Sequence, residues 1–260
     1  MITSSQNPKI KLVRSLLGRA KDRREAGAFV VEGVRLVEEA VGSGWEILFA
    51  LYTETLNERG VSQVEVLRSR GVEIDRVTES LIRSTSETET SQGILAVLSL
   101  TRLPVPSSPN FILIPDRIRD PGNLGTLLRS ADATGVQAIL LPPDTTDAFA
   151  PKVVRAAMGA HFRLPIHSMT WEQIEQMSKS ANLQMFLADM DGPSCWDADL
   201  RQPLALIIGG EAEGGSNSAR SIAGRRISIP MMGPVESLNA GVAGSVLMYE
   251  VLRQRTTTLP

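Results

Sequence analysis

Residues 111–135 read FILIPDRIRDPGNLGTLLRSADATG, and this stretch decides the fold of the second half of the chain. Residues 111–114 form a short apolar strand. They run into a turn at Pro121-Gly122-Asn123, and the spacing then predicts a helix over 124–134 with Arg129 on its second turn. Where a strand hands over to a helix in an α/β fold, polar groups face a ligand crevice. Two further junctions of glycine and polar residues follow. One is Gly209-Gly210-Glu211-Ala212-Glu213-Gly214; the other is Ile229-Pro230-Met231 with Ser237-Leu238-Asn239.

Outward from these junctions the second half alternates strand and helix. Strands are predicted at 111–114, 138–141, 163–166, 184–187, 204–208 and 226–229. They are short and apolar on both faces, as parallel strands covered by helices must be. Helices are predicted at 124–134, 151–158, 171–179 and 239–253, the last with Val242, Val246 and Tyr249 at helical spacing. Upstream, Ile10, Val13, Leu16 and Leu17 put one apolar stripe on a basic first helix. Strands at 29–31, 47–52, 72–76 and 94–98 alternate with helices at 32–41 and 56–70. That pattern predicts a small α/β domain over 1–100. Between the halves, 101–110 reads TRLPVPSSPN, with three prolines and two serines and no periodicity, so it is a linker. The second domain is 111–260.

Composition narrows the function. The chain has 260 residues and 42% hydrophobic content, enough for a substantial core, but a net charge of −2 excludes a generally basic nucleic-acid binder. A local basic patch remains: residues 1–35 hold eight Lys or Arg against three acids. Lys21, Arg23, Arg24 and Arg35, with Lys152 and Arg155 further on, are the candidate nucleic-acid contacts, a solvated charged face being the plain alternative. The single cysteine, Cys195, excludes an internal disulfide and a cysteine metal cluster, and the two histidines, His161 and His167, are too few for the common zinc sites. Both are read as structural. The N-terminus MITSSQNPKIK has no apolar run of signal-peptide type and no window spans a membrane, which predicts a cytoplasmic protein. No G-x-G-x-x-G opens an early helix. The run GGEAEGGS at 209–216 lacks the lysine of a phosphate loop, with Gly215 in its place, and no G-x-S-x-G elbow is present.

Together and in order, the three junctions resemble the motifs of the SpoU (TrmH-type) RNA ribose 2'-O-methyltransferases of the SPOUT superfamily. The motifs here are Asn123-x-Gly125-x-x-x-Arg129, Gly209-x-Glu211-x-x-Gly214, and Ile229-Pro230-Met231 followed by Ser237-Leu238-Asn239. The resemblance covers 111–260. It implies a mostly parallel sheet with a deep trefoil knot, S-adenosyl-L-methionine as cofactor, an RNA substrate, no metal, and a homodimer in which the arginine of one subunit reaches the other's cofactor pocket. Residues 1–100 resemble the family's L30e-like RNA-binding domain through Arg24-x-x-Gly27-x-Phe29-Val30-Val31-Glu32-Gly33. Two stretches depart from the pattern. Gly241 stands where a hydroxyl residue is common, and Gly215-Ser216-Asn217-Ser218 replaces a bulky residue and an arginine, predicting a smaller, more flexible loop.

Methyl transfer to a ribose hydroxyl is an in-line displacement. The hydroxyl is almost fully protonated at neutral pH, so the site must align the oxygen and stabilise its developing charge. Arg129 suits this as a fixed cation with a forked donor set. The alternative for it is a surface ion pair with Asp116, Asp120 or Asp132. By the resemblance, Asn123, Glu211, Ser237 and Asn239 complete the catalytic set. Asn123, Ser237 and Asn239 have helix capping as their plain alternative. Gly209, Ile229 and Leu238 match the family's cofactor contacts. The strand ends at Leu187 and Ala188, Gly210, and Met231 would add apolar wall and backbone polar groups. From the residues alone, Ile229 and Leu238 read as core. The competing function is a non-catalytic RNA-binding protein that keeps the knot fold as a scaffold; a small-molecule methyltransferase is disfavoured by the basic N-terminal domain.

Overall fold

The computed structural model describes residues 1–85, 91–210, 214–235 and 237–256, and Glu211 lies outside them. The chain forms two compact units: Met1–Thr101 with Phe149–Phe162, and Arg102–Ala148 with Arg163–Pro260. The expected second domain over 111–260 is therefore interrupted, because 149–162 packs with the first unit. The segment 101–110 is not a detached spacer either: from Arg102 it groups with the second unit, where Val105 packs on the core and the Leu103 carbonyl lies 2.7 Å from His167 Nε2.

The first unit runs α1 (Pro8–Gly18), α2 (Ala20–Ala26), β1 (Ala28–Glu32), α3 (Val34–Ser43), β2 (Ile47–Tyr52), α4 (Glu58–Ser69), β3 (Ile74–Arg76), α5 (Glu79–Ser84) and β4 (Ile94–Ser99). Its sheet has the order β1-β4-β2-β3, with β4 antiparallel to both neighbours and β3 parallel to β2. Helix α1 buries Ile10, Val13 and Leu16 under this sheet, each fully enclosed and each contributing about 1.5–3 kcal/mol of apolar transfer.

Two of the candidate RNA contacts are drawn into the fold, Arg23 fully and Arg155 in part. Arg23 is only 4% exposed, and its guanidinium donates to the carbonyls of Leu16 (2.6 Å) and Gly18 (3.2 Å). Those carbonyls end α1 and have no intrahelical partner, so a buried cation there satisfies the helix terminus. Arg155 is half-buried and lies 4.0 Å from the enclosed carboxylate of Glu32. By contrast, Lys21, Arg24, Arg35 and Lys152 are exposed.

The second unit runs β5 (Phe111–Asp116), α6 (Pro121–Ala133) and β6 (Ala138–Leu141). The chain then enters the first unit through α7 (Pro151–Ala157) and returns as β7 (Ile166–Ser168), α8 (Trp171–Ser180), β8 (Gln184–Ala188), β9 (Leu204–Gly209), α9 (Asn217–Ile222), β10 (Arg225–Ile227) and α10 (Ala240–Thr256). The six strands are all parallel, in the order β10-β8-β9-β5-β6-β7. Central β5 is buried along its whole length, which accounts for its unbroken apolar run. Among the described residues, no helix is long and apolar enough to cross a membrane.

Several element ends differ from the sequence expectation. Helix α6 starts at Pro121 rather than Leu124. The Asp120 carboxylate caps it by accepting the Asn123 N–H at 2.9 Å, and proline is tolerated in a first turn whose N–H groups have no partner. Pro121-Gly122-Asn123 is thus the first turn of the helix, and Arg129 falls one turn later than expected. Pairing of β7 begins at Ile166, not 163, because Pro165 has no N–H to give the ladder. Residues 216–218 are not a flexible loop: Ser216 caps α9, its Oγ accepting the Ala219 N–H at 3.1 Å.

Candidate active site

The carboxyl ends of β8, β9 and β10 open onto a cavity of about 710 Å³. Ligand crevices of parallel sheets lie at this edge, and the volume suits a nucleoside-sized molecule. Ala188, Gly209, Gly210, Ile229, Met231 and Leu238 line it, as does Ser237. Ile229 and Leu238, read as core from the residues alone, are half-buried wall residues. Leu187 is the exception among the cofactor candidates. It is fully buried in the core and supports the floor from below, its Cδ1 lying 2.8 Å from where a Cβ on Gly215 would be.

Glycine is required here by close approach. A Cβ on Gly209 would lie 2.3 Å from the Gly214 carbonyl carbon and 2.4 Å from the Gly215 nitrogen. A Cβ on Gly210 would lie 2.8 Å from the Arg117 carbonyl oxygen. The feet of the loop are tied to each other, Gly214 N–H donating to Gly210 O at 3.0 Å. The second glycine junction thus presents bare backbone at the cavity, which lets a ligand approach peptide groups directly.

Polar residues that sequence reasoning missed complete the lining. Asp189 and Asp191 follow β8, and Asp189 pairs with Arg220 at 2.7 Å. Ser228 follows β10. The available signal was positional: a polar residue directly after a buried parallel strand stands at the crevice.

The first and third junctions meet on a different pair of elements. Asn239 Nδ2 donates to Asn123 Oδ1 at 2.9 Å, joining the mouth of α10 to the first turn of α6. Asn239, not Ser237, caps α10, its Oδ1 accepting the Val242 N–H at 3.2 Å. Asn123 is not a cap, that role belonging to Asp120. The two helices approach closely: a Cβ on Gly244 would lie 2.3 Å from Leu127 Cδ2. Gly241 belongs to this contact as well, since a side chain there would meet Thr126 Cβ at 3.2 Å and Asn123 O at 3.3 Å.

Arg129 is exposed on α6, and both it and Asn123 lie outside the cavity lining. The three acids offered as its surface partners are engaged elsewhere. Asp132 pairs with Arg163 at 2.8 Å, Asp120 caps α6, and Asp116 accepts the Ser216 N–H at 2.6 Å. Within one chain, then, the cofactor-side residues share a cavity and the arginine does not face it. On the outer side of α10, Val242, Val246 and Tyr249 are 46%, 38% and 52% exposed, an apolar stripe that the core of one chain does not cover.

Comparison with known proteins agrees with this geometry. Residues 110–249 match the model of the SpoU rRNA Methylase family, and residues 7–96 match an MRM3-like substrate binding domain. The chain is 32% identical to the 23S rRNA (uridine(2479)-2'-O)-methyltransferase of Streptomyces viridochromogenes, covering 99% of this chain and 95% of that one. It is 31% identical to the 23S rRNA (guanosine(2553)-2'-O)-methyltransferase RlmP of Bacillus subtilis, covering 96% and 98%. Among solved structures, the SpoU methyltransferase AviRb from Streptomyces viridochromogenes in complex with AdoMet matches with a TM-score of 0.89 at 30% identity, over 97% of this chain and 99% of that one. An AdoMet-bound rRNA methyltransferase from Sinorhizobium meliloti matches with a TM-score of 0.86 at 30% identity, over 100% and 98%.

Proposed function

The chain belongs to the SpoU rRNA methylase family, and from that premise we propose that it transfers a methyl group from S-adenosyl-L-methionine to a ribose 2'-hydroxyl of ribosomal RNA. The observation that carries the reading is the glycine-walled cavity at the carboxyl edge of the parallel sheet, with Ser237 at its rim. Its fit to the cofactor is chemical as well as spatial. Bare backbone at Gly209 and Gly210, with Leu238 and Ile229 as apolar wall, suits an adenosine. The exposed carboxylate of Asp191 suits a ligand with a sulfonium and an ammonium, while Asp189 is held by Arg220. When bound, that cofactor supplies a methyl group already activated by positive charge.

The chain's own residues have the remaining work of aligning and charge-stabilising the hydroxyl. Arg129 holds the substrate phosphate or the developing alkoxide through its forked donors. The Asn239–Asn123 hydrogen bond fixes α6 relative to α10, so that Arg129 and Ser237 keep their places. Glu211 is assigned to the same set by its place in the second motif. Lys21, Arg24, Arg35 and Lys152 in the first unit would contact RNA phosphates.

The arginine's position outside its own cavity supports a homodimer in which each Arg129 serves the partner's cofactor. The stripe Val242, Val246 and Tyr249 is the interface we assign, since an apolar row this exposed on a helix is otherwise a liability. Replacing Val246 and Tyr249 together by glutamate should convert a dimer to a monomer by light scattering. Methyl transfer should fall at least about tenfold in parallel. A monomeric wild type, or a monomeric variant with full activity, would refute the shared site. The trefoil knot and action in the cytoplasm, where rRNA is the substrate, belong to the same proposal.

The direct test is transfer of labelled methyl from S-adenosyl-L-methionine into ribosomal RNA lacking modifications, with the product mapped as a 2'-O-methyl ribose. RNA binding with no incorporation into any ribosomal RNA would leave the scaffold reading standing instead.

A further inference from the structure

Asp116 ends β5 and is completely buried. Its Oδ2 accepts the Ser216 N–H at 2.6 Å. Its Oδ1 is also buried and has no hydrogen-bond partner among the described residues. A carboxylate is an unfavourable choice for such a place, because a buried oxygen left unpaired costs stability and a buried charge costs more. An asparagine would offer the same acceptor without the charge, but would put an unpaired amide NH2 where Oδ1 lies.

The position of the group gives the reason for keeping it. Asp116 lies directly across from Gly209 in the β5–β9 register. Gly210, the next residue, meets the Arg117 carbonyl closely enough to exclude any side chain. Ser216, held by the carboxylate, directly follows Gly215 at the other foot of the same loop. The strand end 116–117 therefore grips both feet of the glycine loop, on one side by backbone contact and on the other by a charged acceptor.

We propose that Asp116 is a positioning residue for the cofactor site: its buried carboxylate, by holding the Ser216 N–H, fixes the feet of the glycine loop, Gly209-Gly210 and Gly214-Gly215, in the form that binds the sulfonium cofactor. The inference rests on the methyltransferase reading of that cavity. The anchor is kept although it destabilises the fold. Burial pushes the Asp116 carboxyl above the usual carboxylate range; the Ser216 hydrogen bonds and the nearby Arg117 guanidinium oppose the shift, and Asp144 adds to it. A folded-state pKa above the unfolded one means that the folded chain binds this proton more tightly. The group's contribution to stability is therefore present at acid pH and is lost as pH rises through the raised value.

Asp116→Asn is accordingly expected to weaken S-adenosyl-L-methionine binding about tenfold, as one charge-assisted bond becomes neutral, with little change in melting temperature at neutral pH because relief of the buried charge is offset by the unpaired amide N–H groups. Lowering the pH from neutral should weaken cofactor binding in the wild type and change it less in Asp116→Asn. Should that variant misfold, Ser216→Pro removes the N–H itself, at a residue whose φ of −63° already suits proline. Ser216→Ala, which keeps the N–H, accounts for the lost hydroxyl, both as helix cap and as a partner of Asp116. The Asn and Pro effects on affinity should not add, because both remove one interaction. Cofactor affinity unchanged in both Asp116→Asn and Ser216→Pro would overturn the proposal. So would a stability loss in Asp116→Asn with affinity intact. A wild type that binds no S-adenosyl-L-methionine would instead sink the reading of the cavity on which the proposal rests.

Discussion

Arg129→Ala is expected to lower methyl transfer by about 10²–10³-fold while S-adenosyl-L-methionine still binds. Arg129 is exposed and forms no part of the cavity lining, so its loss removes no wall of the cofactor site. Alanine is the better helix former, and α6 keeps its Asp120 cap, so the fold should not suffer. What disappears is a fixed cation where negative charge develops. Arg129→Lys should recover only part of the rate, since an ammonium cannot reproduce the planar fork. Single-turnover transfer separates this effect from RNA binding, and calorimetry reports the cofactor affinity. Near-wild-type transfer in Arg129→Ala would end the assignment. Parallel loss of cofactor binding would make the arginine a structural element of the pocket.

Gly209→Ala is the second large effect. The added methyl would stand 2.3 Å from a backbone carbon and 2.4 Å from a backbone nitrogen, neither of which can rotate away as a side chain would. The loop must shift as a whole. We expect a stability loss of about 1–3 kcal/mol, as for overpacked cores. Cofactor binding should fall below detection, because the displaced backbone is the surface that a nucleoside would meet. RNA binding through the first unit should survive, which distinguishes a local lesion from global unfolding. Thermal melts, cofactor titration and RNA gel shifts on one preparation check all three. Retained cofactor affinity would mean that the loop tolerates an alternative path.

The sheet of the second unit was legible because buried parallel strands announce themselves as short apolar runs; the predicted strands over 138–141, 184–187 and 204–208 fall within β6, β8 and β9. The glycines of the cavity wall stood out because strand ends carry glycine and polar residues together, whereas Ile229 and Leu238 read as core from the residues alone and were offered only by the family resemblance. Where reading failed, long-range partners decided. Nothing in the sequence around Arg23 reveals that α1 ends beside it and needs its carbonyls satisfied. The helix α9 is short, and its Asn217-Ser218 start has weak helical propensity, so a single cap at Ser216 outweighs composition. The acid that starts α6 was visible as Asp120, but Pro-Gly-Asn is also good turn chemistry and won the local reading. That the residues 149–162 leave one unit for the other has no local signature at all, because only their contacts define it.

That excursion matters when the chain is made from its N-terminus. Phe29 and Trp45 belong to strands and loops synthesised early, yet their aromatic neighbours Phe149 and Phe162 sit at ring-centroid distances of 5.1 and 5.3 Å from them and come much later. The N-terminal sheet therefore cannot complete its packing when Thr101 leaves the ribosome; it waits, with apolar rings uncovered, until Phe162 has followed. A gene fragment ending in the proline-rich segment would carry that exposed patch permanently and should aggregate. A minimal first unit must be assembled as 1–101 joined to 149–162, a design that chain order alone would never suggest.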